Sequence, residues 1–329
     1  DDVTVWRQNN VTIRGVGGRA HIRGNRRIPF ESGNDRNNGM GLMVVRGSNI
    51  SVENIEFSNA MVDDMNGAGI RNQGQNLSVC NGYFHDNEDG FLGGAYGTLL
   101  FEYSEFANNG FGDPGRNHNL YVDDGERLIF RHNYSHHAQV GHTLKTRAAE
   151  NHILYNRIMD EASGNSSYTI DVPNGGLTYV IGNLLQQGPN TENSAIVNYG
   201  TEGLASGRTH QLFLVNNTWV NDRGSGSFLQ YQSGTSLVRT INNLFVGGGS
   251  VPSGGAVQAT TNLATQAPGL VNQGAYDYRL SSTSPARDAG TAPGSASGFN
   301  LAPAYQYVHK AQRQARPANG TIDIGAYEF

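Results

Sequence analysis

The stretch NISVENIEFSNA at residues 49–60 returns as NLSVCNGYFHDN at 76–87 and as TLLFEYSEFANN at 98–109, and this repetition decides the fold. Related phrases begin at residues 11, 127, 151, 177, 211 and 236. Short apolar runs recur about every 22 to 34 residues and are separated by Gly, Asn, Asp and Ser. This pattern is typical of stacked β-solenoid coils. We therefore predict an all-β, single-stranded parallel β-helix in which each phrase belongs to one coil.

Aligning the phrases predicts which residues stack at the same position of successive coils. One position near the end of each phrase gives a column: Phe57, Phe84, Phe106, Ser135, Met159, Gln186, Val220 and Val246. Neighbouring parallel strands lie about 4.8 Å apart, so members of a column should touch.

The composition fits a chain that turns often and forms one elongated domain. The chain has 44 Gly, and only 16% of its residues are charged. Gly and Asn tolerate the left-handed backbone of sharp corners. We expect residues 1–260 to form the coils that carry a binding groove. Residues 261–329 should form less regular C-terminal coils and a capping segment of the same domain, because an open solenoid end exposes unpaired strand edges.

Charge and hydropathy narrow the range of partners. The net charge of −5 gives no general attraction to nucleic acid, and no run of 18 apolar residues predicts a membrane span. The chain opens with DDVTVW in the middle of the repeat pattern and without Met. We therefore expect a secreted or periplasmic protein whose signal peptide is not in this chain, and we expect a monomer.

One strand of each coil carries polar side chains in the same phase. If Leu120, Leu144, Ile170 and Val197 point inward, the outward column contains Tyr121, Lys145, Asp171 and Asn198. A second outward column contains Asp123 and Arg147, so Lys145 and Arg147 should point together into solvent. His118 and His142 fall one coil apart at the starts of their strands. The sequence thus predicts a groove with a local pair of cations.

Several segments resemble known β-helix proteins. The ending YDYRLSSTSPARDAGT with DIGAYEF, together with the repeated coils, resembles secreted bacterial right-handed parallel β-helix proteins of the pectate-lyase-like superfamily. The segments NHNLYV, VGHTLKTRA, SSYTIDVPNGG and IVNYGTEG are similar to bacterial uronic-acid polysaccharide lyases. The resemblance implies a right-handed helix and an anionic polysaccharide substrate.

Cleavage of a uronate polymer by β-elimination needs a base, a proton donor and a cationic group for the enolate-like intermediate. We expect Lys145 to be the base and Arg147 to bind the carboxylate, because Arg holds carboxylates bidentately. Tyr121 or His142 would supply the proton. The predicted substrate contacts are His118, Asn119, Asp171, Asn174, Tyr168, Asn198, Tyr199 and Arg71.

Calcium is a candidate cofactor, since β-helix lyases of the resembled kind include several that use it to neutralise the substrate carboxylate. Hard oxygen ligands of the type that calcium takes are supplied by Asp123, Asp124 and Glu161. Their spacing matches no defined calcium loop, and nothing in the sequence marks a zinc site.

Two other enzymes fit the same groove. A uronate C5-epimerase shares the proton abstraction and returns the proton to the other face. A glycoside hydrolase would need two carboxyl groups, for which Asp89 with Asp123 or Asp124 are candidates at a separation of roughly 6.5 to 9.5 Å.

A non-catalytic carbohydrate-binding solenoid is the remaining alternative. It would need aromatic rings that stack on sugars but no base. The candidate rings are Tyr121, Tyr168, Tyr199 and Trp219.

Overall fold

Three long parallel sheets make up most of the molecule in a computed structural model that describes residues 4–28, 40–111 and 116–329. The first sheet has nine strands: β1 (Thr4–Trp6), β4 (Gly41–Val45), β7 (Ala68–Asn72), β10 (Asp89–Gly93), β13 (Leu120–Val122), β16 (Lys145–Thr146), β19 (Ile170–Val172), β22 (Ala195–Tyr199) and β25 (Ser227–Tyr231). The second sheet has ten: β2 (Thr12–Arg14), β5 (Ser48–Glu53), β8 (Gln75–Cys80), β11 (Ala95–Glu102), β14 (Gly125–Arg131), β17 (Glu150–Leu154), β20 (Leu177–Ile181), β23 (Gln211–Val215), β26 (Leu237–Ile241) and β28 (Val257–Thr260). The third also has ten: β3 (Ala20–Arg23), β6 (Ile55–Ser58), β9 (Tyr83–His85), β12 (Glu105–Ala107), β15 (Tyr134–His136), β18 (Arg157–Met159), β21 (Leu184–Gln187), β24 (Thr218–Asn221), β27 (Leu244–Gly247) and β29 (Leu263–Thr265).

Each coil of the chain adds one strand to each sheet in turn, which is the topology of a parallel β-helix. Within these three sheets, a strand that is not at either end pairs in parallel with the strand one coil before it and the strand one coil after it. The predicted all-β solenoid is confirmed. None of the described residues belongs to a helix that is long and apolar enough to cross a bilayer.

The inner face of the third sheet holds a stack of side chains. The rings of Phe57 and Phe84 lie 5.1 Å apart, and those of Phe84 and Phe106 lie 4.7 Å apart. Strand pairing continues this column through Ser135, Ile158, Leu185, Trp219 and Phe245. The column predicted from the phrases is therefore wrong by one residue from Met159 onward, and such a shift moves a side chain to the opposite face.

A ladder of asparagines closes the corner between the second and third sheets. Asn156 donates from Nδ2 to Asn183 Oδ1 at 2.9 Å and to the carbonyl of Phe130 at 2.8 Å. The same bonds repeat from coil to coil through Asn133, Asn156, Asn183, Asn217, Asn243 and Asn262. The residue before each rung has a positive φ, as at His132 (59°) and Tyr155 (59°). This left-handed residue bends the chain so that the amide enters the core.

The C-terminal segment is built from short antiparallel pairs. Its elements are β30 (Leu270–Asn272), the 3-10 turn Gln273–Ala275, β31 (Asp277–Leu280), β32 (Ser295–Ala296), β33 (Phe299–Asn300), β34 (Tyr305–Val308) and β35 (Gln312–Ala315). It packs against the outer face of the third sheet, where Tyr278 and Tyr307 cluster with Met159 and Val220. The segment covers the flank of the solenoid and not its end, because β28 and β29 remain largely exposed. The segment lies on the flank and not at the predicted end position, because the apolar outer face of the later coils packs against it.

Candidate active site

Four outward side chains of the first sheet form a continuous column. Strand pairing aligns Tyr121 with Lys145, Lys145 with Asp171, and Asp171 with Asn198. The inward neighbours that anchor these strands are fully buried: Leu120, Leu144, Ile170 and Val197. The column has the membership that the sequence predicts, because alternation along each strand fixes the face.

Lys145 is enclosed, in contrast to the predicted exposed position. Only 7% of its side chain is exposed. Its Nζ atom lies 3.4 Å from Asp171 Oδ2 and 3.2 Å from Glu202 Oε1, and it lies 5.3 Å from the centre of the Tyr121 ring. The amine is therefore held between two carboxylates and one aromatic face.

Arg147 follows β16 and joins the column to the surface. It donates from Nε to the Tyr121 hydroxyl at 2.8 Å, from Nη2 to Glu202 Oε2, and from Nη1 to Asn174 Oδ1. Burial alone would lower the pKa of the guanidinium, but the bonds to Tyr121 and Glu202 outweigh it and raise that pKa. Arg147 is therefore a permanent cation whose position is fixed by three acceptors.

Glu202 is a member of the site that the sequence did not reveal. It lies on an exposed turn after β22, where Gly200 and Gly203 have φ values of 81° and 106°. Burial raises the pKa of its carboxyl, but Arg147 and Lys145 outweigh burial, so the pKa lies below its ordinary value. Its ionised carboxylate bridges the two cations. Strand periodicity carries no information about such a turn residue, although two neighbouring cations are a reason to look for an acid nearby.

Asp171 anchors the inner side of the column. It is 1% exposed. Its carboxylate oxygens lie 3.1 Å from His142 Nε2, 3.4 Å from Lys145 Nζ and 2.7 Å from Asn198 Nδ2. Burial raises the pKa of this carboxyl, but these partners outweigh burial and lower it. His142 accepts the backbone N–H of Tyr168 on Nδ1, so the ring carries its proton on Nε2 and donates to Asp171.

Three residues predicted to contact substrate are enclosed in the solenoid. His118 is fully buried and accepts the backbone N–H of His142 on Nδ1 at 2.9 Å. Burial, followed by the electrostatic effects of His142, Lys145 and Arg147, holds the pKa of His118 well below its usual value. Asn119 bonds to core groups including Ser135, and Tyr199 belongs to the central core. Burial therefore contradicts substrate contact by His118, Asn119 and Tyr199, and it excludes Trp219 as a ring for sugar stacking. The predicted contacts Asp171 and Asn198 are also only 1% and 2% exposed, so they support Lys145 from below and do not touch substrate.

A pocket of about 440 Å³ lies beside the column, on the side of the earlier coils. Arg71 and Asp123 line it and lie 3.7 Å apart, and Tyr96 adds a ring that is 76% exposed. Arg71 stands in the same column as Tyr121, two coils earlier. The pocket therefore extends the polar surface along the solenoid axis. Sequence reasoning did not single out Tyr96.

Each carboxylate predicted to hold calcium faces an arginine, and Glu161 lies beside a different sheet from Asp123 and Asp124. Asp123 faces Arg71, and Asp124 lies 3.8 Å from Arg208. Glu161 is on the third-sheet side, 3.2 Å from Arg157. Calcium binds about 6 to 8 oxygen ligands that all point toward the ion. These three residues therefore do not fit a calcium cage.

Asp89, the acid needed for the hydrolase alternative, is fully buried. Its Oδ1 atom accepts the backbone N–H of His118 at 2.8 Å, and burial raises the pKa of the carboxyl well above its ordinary value. It supports the backbone of the next coil and does not line the groove.

The three parallel sheets define the protein as a right-handed parallel β-helix of the pectate-lyase-like fold. Among solved structures the chain is similar to pectate lyase Pel9A, with 15% sequence identity and a TM-score of 0.57 over 98% of this chain and 87% of that one. No protein-family model and no curated protein matches the chain by sequence. At this identity the likeness establishes the fold and leaves the activity to be argued from the site.

Proposed function

We propose that the protein is a lyase that cleaves a uronate-containing polysaccharide by β-elimination. The observation that carries this proposal is the position of the Glu202 carboxylate, which bridges Lys145 and Arg147. A uronate carboxylate has the same charge and the same two oxygens. It can therefore replace the Glu202 carboxylate beside Lys145 and Arg147, because 46% of the Glu202 side chain is exposed to solvent.

Arg147 would bind the substrate carboxylate and stabilise the negative charge that spreads onto it during the reaction. Guanidinium groups suit this role because they form two parallel bonds to a carboxylate and keep their charge. Asn174 and Tyr121 already fix the orientation of Arg147. Little reorganisation is then needed when charge develops, which is the main source of electrostatic catalysis.

Lys145 Nζ, after losing a proton to solvent, would remove the proton from C5 of the uronate. The electron pair forms the C4–C5 double bond, and the bond from C4 to the glycosidic oxygen breaks. The leaving oxygen then needs a proton. Tyr121 is the better donor: its oxygen accepts a bond from Arg147 and its own O–H proton remains available, whereas both ring nitrogens of His142 are engaged.

The pocket beside the column supports a polymeric substrate. From Arg71 to Lys145 the column spans three coil steps, or about 14 Å at the spacing of parallel strands. This length matches roughly three sugar rings, with Tyr96 available to stack on one of them. Export to the cell surface or beyond is part of the proposal, since such polymers lie outside the cell.

The test is a panel of alginate, pectate, glucuronan, glycosaminoglycans and bacterial exopolysaccharides, each with and without calcium, followed by the ultraviolet absorbance of the new C4–C5 double bond. We expect one polymer class to give a rise that Lys145→Ala abolishes while polymer binding is retained. Lys310→Ala is the matched control, because Lys310 pairs with Glu105 on the third sheet, away from the column.

Other products would replace the proposal with a specific alternative. Altered uronate stereochemistry without cleavage would assign an epimerase, and reducing ends without absorbance would assign a hydrolase. Binding with no product from any polymer would assign a carbohydrate-binding solenoid.

A further inference from the structure

A second polar cluster lies on the outer face of the third sheet, at the first three coils. His21 is on β3, Glu56 is on β6 and His85 is on β9. Strand pairing aligns His21 with Glu56, and Ser58 with His85. One ligand atom from each of the three side chains lies within 4.8 Å of the others. No part of the proposed lyase chemistry uses this cluster.

We propose that His21, Glu56 and His85 form a binding site for a divalent transition-metal ion of the zinc class. Glu56 Oε1 lies 3.4 Å from His21 Nε2 and 3.0 Å from His85 Nε2. Zinc binds imidazole nitrogen and carboxylate oxygen at about 2.0 to 2.2 Å, so tetrahedral ligands lie about 3.3 to 3.5 Å from one another. The two separations between Glu56 and the histidines are therefore already close to those that one ion requires, and the ligand atoms of the two histidines lie within 4.8 Å of each other.

Asp86 orients His85 for this role. Its Oδ2 atom lies 2.6 Å from His85 Nδ1, which places the proton of a neutral ring on Nδ1. The lone pair of Nε2 then points toward Glu56. In the metal-free chain Nε2 and Glu56 Oε1, 3.0 Å apart, can share a proton in a hydrogen bond. A metal ion that replaces this proton would bind both atoms.

The ligand set selects the kind of metal. Two imidazoles with one carboxylate suit zinc, copper or nickel, whereas calcium prefers oxygen alone. Three protein ligands leave the fourth tetrahedral position to water. Because the ligands come from three successive coils, the ion would hold those coils together and stabilise the folded chain, which alone assembles the site.

The test uses the whole protein after removal of metal by a chelator. Co²⁺ is added and followed by its visible absorption, Zn²⁺ is used to displace it, and the thermal unfolding midpoint is measured with and without Zn²⁺. We expect one ion per chain at this site and a higher midpoint with Zn²⁺. His21→Ala and His85→Ala should each abolish the absorption, and Asp86→Asn should weaken binding by about 10- to 100-fold.

The matched control is the double variant His136→Gln/His137→Gln, which alters another pair of histidines near Glu105 and Glu161. It should bind the ion as the unaltered protein does, and circular dichroism should show that all variants are folded. The proposal is overturned if the unaltered protein binds no ion. It is also overturned if binding survives both His21→Ala and His85→Ala, or if it is lost only in the control.

Discussion

Glu202 lies 55 residues after Arg147 in the chain, yet its carboxylate accepts a hydrogen bond from the guanidinium of Arg147 at the mouth of the candidate site. The turn that carries Glu202 is itself tied to the neighbouring coil, because its backbone N–H donates to the carbonyl of Pro173 at 3.0 Å. A carboxylate of the chain therefore occupies the position proposed for the carboxylate of the substrate, and the two should compete.

Replacing Glu202 with Gln should lower the KM for an anionic polymer. The change removes a negative charge that competes for Arg147 and Lys145, and an exposed ion pair of this kind is worth up to about 1 kcal/mol, or roughly fivefold. Initial rates across polymer concentrations would measure the change. Glu192→Gln, at an exposed residue on the turn of the preceding coil, should leave KM unchanged. A rise in KM for Glu202→Gln would instead make Glu202 part of the substrate site.

Replacing Tyr121 with Phe should lower kcat by about 100-fold or more, because the proton donor for the leaving oxygen is lost. KM should change little, since Arg147 and Lys145 remain. His142→Gln should have a smaller effect on kcat, since His142 acts through Asp171. Steady-state kinetics of the two variants separates the two candidate donors. The assignment to Tyr121 fails if His142→Gln is the more damaging change.

Replacing His132 with Tyr should stabilise the protein in acid. His132 is fully buried between Tyr103 and Tyr155, and neither of its ring nitrogens has a partner among the described residues. Burial, assisted by Arg313 and Arg131, lowers its pKa to about 3. Below about pH 6.5 the His132 ring is protonated in the unfolded chain, but it stays neutral in the folded chain until the pH approaches 3. The free energy of unfolding therefore falls as the pH falls toward 3.

The gain from His132→Tyr should therefore be about 2 kcal/mol in unfolding free energy at pH 5, and smaller at pH 8. Tyr fits this corner, because Tyr103 and Tyr155 have the same left-handed backbone, with φ values of 52° and 59°. Denaturant unfolding at the two pH values measures the effect. His137→Tyr is the control, since His137 also has a positive φ but is only half-buried. An equal gain at both pH values would show that protonation is not the cause.

Replacing Asn183 with Ala should cost about 3 kcal/mol of unfolding free energy. The side chain accepts the backbone N–H of Asn156 and donates to Asn217 and to the carbonyl of Ile153, so its loss leaves several buried groups unpaired. Urea unfolding monitored by circular dichroism provides the measurement. Asn190→Ala removes one exposed hydrogen bond to the carbonyl of Ala162 and should lower the free energy of unfolding by less than about 1 kcal/mol. Similar costs for the two variants would mean that the ladder adds little stability.

The local pattern predicted the coils and the column of Tyr121, Lys145, Asp171 and Asn198 because both depend on strand alternation and on a repeat of the chain. The same pattern gave the wrong position for Met159, since the step between two coils is one residue shorter than the phrases indicate. The shifted column placed Met159 and Val220 on the inner face, whereas they belong to the apolar outer face on which the C-terminal segment packs.

The sequence by itself determined the solenoid and the side chains that face one groove, because these follow from periodicities within a coil. Only the tertiary structure decided that Lys145 is enclosed, that Glu202 bridges the cations and that His21, Glu56 and His85 meet. Those relationships join residues from different coils through turns and long side chains. Their contacts depend on how far each turn projects and on which rotamer its neighbours allow, and neither is encoded in the repeat.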